Sequence, residues 1–372
     1  MNAVHRLRIS AAAVCGCVLV VSACRADSVA TINERIEGAL AVKDGQLTVG
    51  DKAVAWNSVS YIVRSDAQPT VTSPRLVRFK NGEIWSAEIS GLISKKLTLD
   101  SPAFGAQRAD VALVASIEFV QSLESDPTAK PATLYREKAQ PIPGEILWID
   151  REKLALSTAL GALTLQRDGL TRYVFSTQAP EATDTLDELA LRDGSIFKGK
   201  TELSGTSVEL THGILGKLSF PLSALRYVLR ASNAIANIRG FSAEQVQVTP
   251  LISTRMVPEG VRDLREGVWG VRIWPHTVAK IPLPEKGEKI VFRALLSSAA
   301  SGAGNARVRV SAGGKYVLEK VVAEKSEWIN VEIPKAKELE IDVDFAGSPR
   351  FPADVMLREP QLIVVPPLGG RD

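Results

Sequence analysis

Eight consecutive positions in the C-terminal third, Trp269 to His276, hold Trp269, Arg272, Trp274 and His276. An indole face offers flat apolar area to the apolar side of a sugar ring, and a guanidinium or imidazole supplies directed hydrogen bonds to its polar groups. These four are the candidate ligand-binding residues, with glycan as the expected ligand. The competing assignment places one tryptophan in a core and packs Trp274, beside Pro275, under a loop. Asp342 and Asp344 lie two positions apart on one strand face, and Asp354 follows, so their carboxylates come close to a cation site. Calcium takes six to eight oxygen ligands, more than these acids supply, and no metal site is expected. His212, beside Gly213, reads as an ordinary turn residue. Gly302-Ala303-Gly304 lacks a phosphate-binding lysine and a following helix, so it reads as a loop.

Catalysis has little to work with. All three cysteines, Cys15, Cys17 and Cys24, precede residue 25, which excludes thiol nucleophiles, disulfides and cysteine metal sites from the rest of the chain. Beyond that point only His212 and His276 remain. No nucleophile, base and orienting acid share a spacing, and no enzyme activity and no cofactor are expected. Lys plus Arg number 45 against 42 Asp plus Glu, a net charge of +3. These charges are interspersed with apolar residues, so no nucleic-acid partner is expected.

The N-terminus begins with His5-Arg6-Leu7-Arg8, continues in an apolar run from Ile9 to Ala23 and reaches Cys24. That order is a secretory signal over residues 1–24. The run is shorter than the ~20 residues that span a bilayer comfortably, so removal is expected rather than retention as an anchor. Val21-Ser22-Ala23-Cys24 resembles a bacterial lipobox, which implies lipid on Cys24 and attachment to a membrane through it. Cleavage after Ala26 by ordinary signal peptidase is the alternative. The expected location is an exported one: an outer-membrane or cell-surface lipoprotein, otherwise periplasmic or secreted.

The elements that must position these residues are strands. Gly105, Gly161 and Gly216 are each followed after nine and twelve residues by an apolar pair: Val114 and Ile117, Leu170 and Tyr173, Leu225 and Val228. Gly50 is followed at the same offsets by Val59 and Ile62. This register predicts four β repeats over residues 34–63, 76–119, 134–175 and 187–230. Each is expected to hold three or four strands, with a short turn before the last. Asn81-Gly82 and Asp193-Gly194 lie between alternating strands as hairpin signals with φ > 0 at both turn positions; the third copy has Lys138-Ala139 there. A lone hairpin is marginal in water, so neighbouring units must pack together or close into small barrels. Polar, Pro-containing stretches from Ser122 to Pro131 and from Ser176 to Asp187 read as linkers. The pattern resembles short β repeats common in large secreted bacterial proteins.

After a connector from Ala231 to about Glu244, alternating strands return over residues 246–365, followed by a tail at 366–372. Leu339, Ile341, Val343 and Phe345 face one way and Glu340, Asp342 and Asp344 the other, a half-buried antiparallel strand. Many short strands without a helical period predict a sandwich or jelly roll. The fold class expected for the whole chain is mostly β: an N-terminal array of small β-hairpin repeat modules followed by a C-terminal β-sandwich.

This last segment resembles the NPCBM family, carbohydrate-binding modules found beside glycoside hydrolases. Gly270-Val271-Arg272-Ile273-Trp274-Pro275-His276-Thr277, through Leu283, is similar to the family's Gly-x-Gly-Val-His-Ala-x-Ser entry strand. Phe292-Arg293-Ala294 resembles its Phe-x-Ala strand, and Val308-Arg309-Val310 with Gly313-Gly314-Lys315 its hairpin. Phe345-Ala346-Gly347 through Glu359-Pro360-Gln361-Leu362 resembles its closing loop and final strand. Trp274 stands where the family has His, Ala299 where it often has Asp, and Phe351-Pro352-Ala353-Asp354-Val355-Met356 where it has Asp-His-Ala-Asp-Trp. No metal site is therefore carried over. The resemblance implies a non-catalytic glycan-binding sandwich presented on β repeats at a cell envelope. The alternative is a structural or assembly protein whose sandwich and repeats bind envelope proteins and no sugar.

Overall fold

The structure is a computed structural model. It describes residues 27–31, 34–43, 45–64, 75–120, 129–176, 186–231, 235–238, 241, 243–249, 259–263, 268–283, 289–298, 305–322, 327–347 and 354–365. The signal segment with Cys24, the Gly302 to Gly304 loop and the tail lie outside the described residues. The chain is mostly β, as the alternation predicts, with a repeat array followed by a sandwich.

Four units of like construction fill the array. Their opening strands are Ser28–Thr31, Leu76–Phe79, Thr133–Arg136 and Asp187–Leu191. Each pairs antiparallel with the closing strand of its own unit: Val59–Val63, Val114–Glu118, Leu170–Val174 and Leu225–Leu229. Between them the chain runs through a second strand into a three-stranded meander. In unit 4 that second strand, Ile196–Ser204, is unbroken and pairs first with the opening strand and then with the meander. Every unit therefore holds five or six strands, more than the three or four expected, and the first opens upstream of Glu34. The central meander strand sends two side chains inward in each unit: Leu47 and Val49, Leu97 and Leu99, Leu154 and Leu156, Val208 and Leu210, all buried.

The nine-and-twelve register has a structural cause. Gly105, Gly161 and Gly216 start the last meander strand, and Gly50 lies in the turn just before it, with φ of 72°, 113°, 71° and 58°, backbone that glycine adopts without strain. In units 1, 2 and 4 that strand ends in a single 3-10 turn, Trp56–Ser58, Val111–Leu113 and Leu222–Ala224. The turn delivers Val59, Val114 and Leu225 into the core at the start of the closing strand, and Leu170 occupies the same place in unit 3. The hairpin signals act differently from the sequence expectation. Only Gly82 and Gly194 have positive φ. Asn81 and Asp193 instead accept a hydrogen bond through Oδ1 from the backbone N–H two residues on, Glu83 and Ser195, the Asx-turn geometry.

The units join into one 14-stranded sheet in the order 3-2-4-1. Closing strands pair across units, Ile62 opposite Val228 in units 1 and 4 and Ile117 opposite Tyr173 in units 2 and 3. Arg64 and Arg230, each just past its closing strand, exchange contacts about this pseudo-twofold. Arg64 Nη1 donates to Leu222 O at 3.1 Å; Arg230 Nη1 donates to Trp56 O and stacks over the Trp56 ring. Units 2 and 4 meet at Ile84 opposite Ile196. His212 lies at that joint rather than in an exposed turn: it is 5% exposed and bonded to Glu83 of unit 2. Sequence alone could not place it, because its partner is 129 residues away.

The sandwich has a six-stranded sheet, Glu259–Asp263, Val268–Ile273, Val355–Val365, Lys289–Ser298 and Glu327–Ile333 in order, with Ile235–Asn237 also on Val355–Val365. Part of the expected connector is thus a sandwich strand. The facing sheet is Val246–Val248, Thr277–Pro282, Glu338–Phe345, Ala306–Ala312 and Lys315–Val322. Phe292, Val308, Ile341, Val343 and Leu357 fill the space between them. The six-stranded sheet turns its outer face, with Arg293, Trp328 and Gln361, to the array. Arg293 Nη1 donates to Thr31 O at 2.9 Å in a buried contact, and Trp328 packs on the cluster of Ala30, Tyr61 and Leu229.

Candidate functional site

The strand Val268–Ile273 belongs to one sheet and Thr277–Pro282 to the other, so Trp274, Pro275 and His276 form the corner between sheets at one end of the sandwich. Pairing brings more of the chain there. Ile273 and Ser298 both lie opposite Val355, Thr277 lies opposite Val343, and Ala306 lies opposite Phe345. Asp354, directly before Val355, and Asp344, directly after Val343, therefore reach the same corner.

Arg272 and Trp274 point to one side, two positions apart on an extended segment. The Arg272 guanidinium sits 4.5 Å from the centroid of the half-buried Trp274 ring. It is held by an ion pair from Nε to Asp354 Oδ2. Asp354 is 4% exposed, and its second oxygen, Oδ1, is buried with no hydrogen-bond partner. A buried acceptor left unpaired costs about 1 to 3 kcal/mol. The corner thus presents a flat aromatic ring of fixed orientation, braced by an ion pair to a buried carboxylate. Buried Thr277 Oγ1 and Ser297 Oγ are also without partners.

His276 belongs to the neighbouring side of the corner. Its backbone is left-handed, φ 59°, which turns the ring away from Trp274 to lie edge-on to Phe345 at 5.3 Å, with Nδ1 3.4 Å from Asp344 Oδ1. Asp342 pairs with Arg309 at 3.5 Å. Burial first, and then the Asp344 charge, raise the Asp342 carboxyl above its ordinary pKa, against the lowering pull of Arg309 and His276. This face of the sheet is otherwise a ladder of ion pairs, including Lys280 with Glu338 and Glu340. Among the described residues no group of three metal-ligating side chains is placed to hold an ion.

Of the four residues marked in the sequence, the structure joins Arg272 to Trp274 and sets His276 apart from them. Trp269 pairs by its backbone with Arg262, and its side chain lies outside the described residues. The partner missed was Asp354, weighed only for a cation site that was not expected and found as the arginine's counter-ion; nothing local links it to a residue 82 positions earlier. Exposed aromatics occur elsewhere, Tyr316 in the sandwich at 67% and one in the array. Trp148 of unit 3 is 38% exposed, beside Leu147 at 51%, and Leu160 at a hairpin tip is 100% exposed.

No protein-family model matches the chain, and no curated protein does either. Among solved structures it is similar to a CBM51 module in complex with GlcNAc, with INT domains, from Clostridium perfringens ZmpB. That match has 8% identity over 55% of this chain and a TM-score of 0.29, and the chain spans only 44% of that structure's length. It is also similar to the tandem CBM51 modules of a family 98 glycoside hydrolase from Streptococcus pneumoniae, at 9% identity, 63% of this chain, 89% of that one and a TM-score of 0.24. An insecticidal delta-endotoxin from Bacillus thuringiensis matches at 10% identity over 78% of this chain and 52% of that one, with a TM-score of 0.24. Likeness at these scores carries no inference about ligand or activity.

Proposed function

We propose that the chain is an exported, non-catalytic envelope protein, held at a membrane by lipid on Cys24, whose sandwich binds a neutral glycan at the Arg272, Trp274 and Asp354 corner. The observation that carries this reading is the half-buried Trp274 indole, held in one orientation by the Arg272 guanidinium that Asp354 anchors. A sugar ring offers C–H groups to stack on the part of the indole left in solvent. The Arg272 charge is already committed to Asp354, which favours neutral over acidic sugars. One such corner gives modest affinity, and display of many copies on a surface raises it by avidity.

The test is titration of the full chain against immobilised neutral and acidic glycans, with and without EDTA. Binding is expected to be weak, to favour the neutral set, to ignore EDTA and to be lost in Trp274→Ala and Asp354→Asn. Undiminished binding by both variants, once each is shown to be folded, places the site elsewhere.

A second reading is favoured by Leu147 and Trp148, adjacent exposed apolar residues on unit 3. Exposed apolar clusters mark protein contacts, and a structural or assembly protein of the envelope would use that face. Pull-down of envelope proteins that is lost in Trp148→Ser and unaffected by Trp274→Ala would favour it over the glycan reading.

A further inference from the structure

One acidic residue occupies the seam between sandwich and array. Glu359 is 3% exposed and has φ 50°. It stands at a bulge in Val355–Val365, where Arg293 lies opposite Gln361 but Leu295 opposite Arg358. Left-handed backbone is unfavourable for a residue with a long side chain and persists only where the surroundings over-determine it. Here the bulge brings the carboxyl out of the sandwich and against Tyr61 of unit 1, which is fully buried. Neither Glu359 Oε2 nor Tyr61 Oη has a hydrogen-bond partner of good geometry. Three guanidiniums face the carboxyl, Arg35 from the array and Arg358 and Arg293 from the sandwich. Two of them are engaged elsewhere: Arg35 stacks 4.9 Å from the Trp328 centroid, and Arg293 bonds Thr31 O and Asn330 Oδ1. No ion pair within contact distance reaches Glu359 among the described residues.

We propose that this seam is a pH-dependent joint, in which the sandwich docks on the array with Glu359 neutral and separates from it as the carboxyl ionises. An ionised carboxylate enclosed here would lose its hydration without gaining a direct cation. Burial raises the Glu359 carboxyl above its ordinary pKa, and Tyr61, Arg35, Arg358 and Arg293 offset this only in part. Burial, followed by the Glu359 charge, raises the Tyr61 phenol well above its own ordinary value. A carboxyl with a raised pKa in the docked state contributes its full share to docking below the ordinary carboxylate range. That share is lost as pH rises through the raised value.

The experiment uses the full chain labelled with fluorotryptophan. Trp328, which packs across the seam on the buried array cluster that includes Ala30, Tyr61 and Leu229, is the reporter, assigned by Trp328→Phe. Fluorine NMR and small-angle scattering are followed between about pH 5 and about pH 9. The Trp328 signal is expected to pass from a buried to a solvated position while the radius of gyration grows. Glu359→Gln, neutral at every pH, should keep the docked signal throughout. Should that variant fail to fold, Tyr61→Phe removes a contact that lowers the Glu359 pKa and should move the transition to higher pH. A wild-type signal that does not change with pH, the same change in Glu359→Gln, or a shift to lower pH in Tyr61→Phe overturns the proposal.

Discussion

Nε2 of His212 in unit 4 lies 2.8 Å from Oε1 of Glu83 in unit 2, with both side chains buried. The other ring nitrogen, Nδ1, accepts hydrogen bonds from the N–H groups of Ile214 and Leu215 at 3.0 and 2.9 Å. An imidazole whose Nδ1 accepts must carry its proton on Nε2, so His212 donates to Glu83. Glu83 Oε1 also accepts from Lys198 N at 2.8 Å. One carboxylate thus ties two points of unit 4 to the turn of unit 2, inside an aromatic cluster of Trp85, Phe197 and the imidazole.

His212→Ala should therefore destabilise the array by about 2 to 3 kcal/mol, because it leaves a buried carboxylate short of a donor. Urea unfolding followed by Trp85 fluorescence measures it. Glu83→Gln together with His212→Ala should recover part of the loss, since the uncompensated charge is removed.

Leu225→Ala should cost ~2 to 5 kcal/mol by leaving a cavity at the start of the closing strand. Leu170→Ala should behave alike, because the two residues occupy the same place in their units. Values below about 1 kcal/mol at both positions would show that this place is not a core position.

Gly199 and Gly144 sit where the second strand crosses the meander. A Cβ at Gly199 would lie 2.4 Å from Thr211 O, and one at Gly144 2.7 Å from Ser157 O. Neither has positive φ, so space rather than backbone freedom requires glycine. Gly199→Ala should cost about 1 to 3 kcal/mol as the strands are pushed apart, whereas Gly213→Ala, with open space around its Cα, should be near neutral. Thermal unfolding of the two variants side by side decides this.

Arg230→Lys should loosen the joint of units 1 and 4 and leave that of units 2 and 3 intact. Lysine keeps the charge but not the planar fork that reaches Trp56 O while stacking on the Trp56 ring. Faster hydrogen exchange is expected at Tyr61 to Val63, with no change at Ser116 to Glu118.

Arg272→Met should lower the stability of the sandwich by about 1 to 3 kcal/mol, since Asp354 stays buried without its counter-ion. The second substitution Asp354→Leu should restore most of the loss while abolishing glycan binding. Calorimetry and the glycan titration on the same samples separate the two effects.

The residues by themselves determined the strand type, the faces and the turn register. Leu339 to Phe345 alternates because a pleated strand shows one face to the core. The nine-residue step from Gly216 to Leu225 is legible because a meander strand and one 3-10 turn have fixed lengths. Such features depend on neighbours a few residues apart, and composition and spacing report them. The order 3-2-4-1, the Glu83 to His212 bond and the Asp354 to Arg272 pair were decided only in three dimensions. The two side-chain pairs join residues 129 and 82 positions apart, and many acids in the chain could have met either base. Which acid does so follows from how the twisted sheets stack, and that information is spread over every core contact rather than held in any local run.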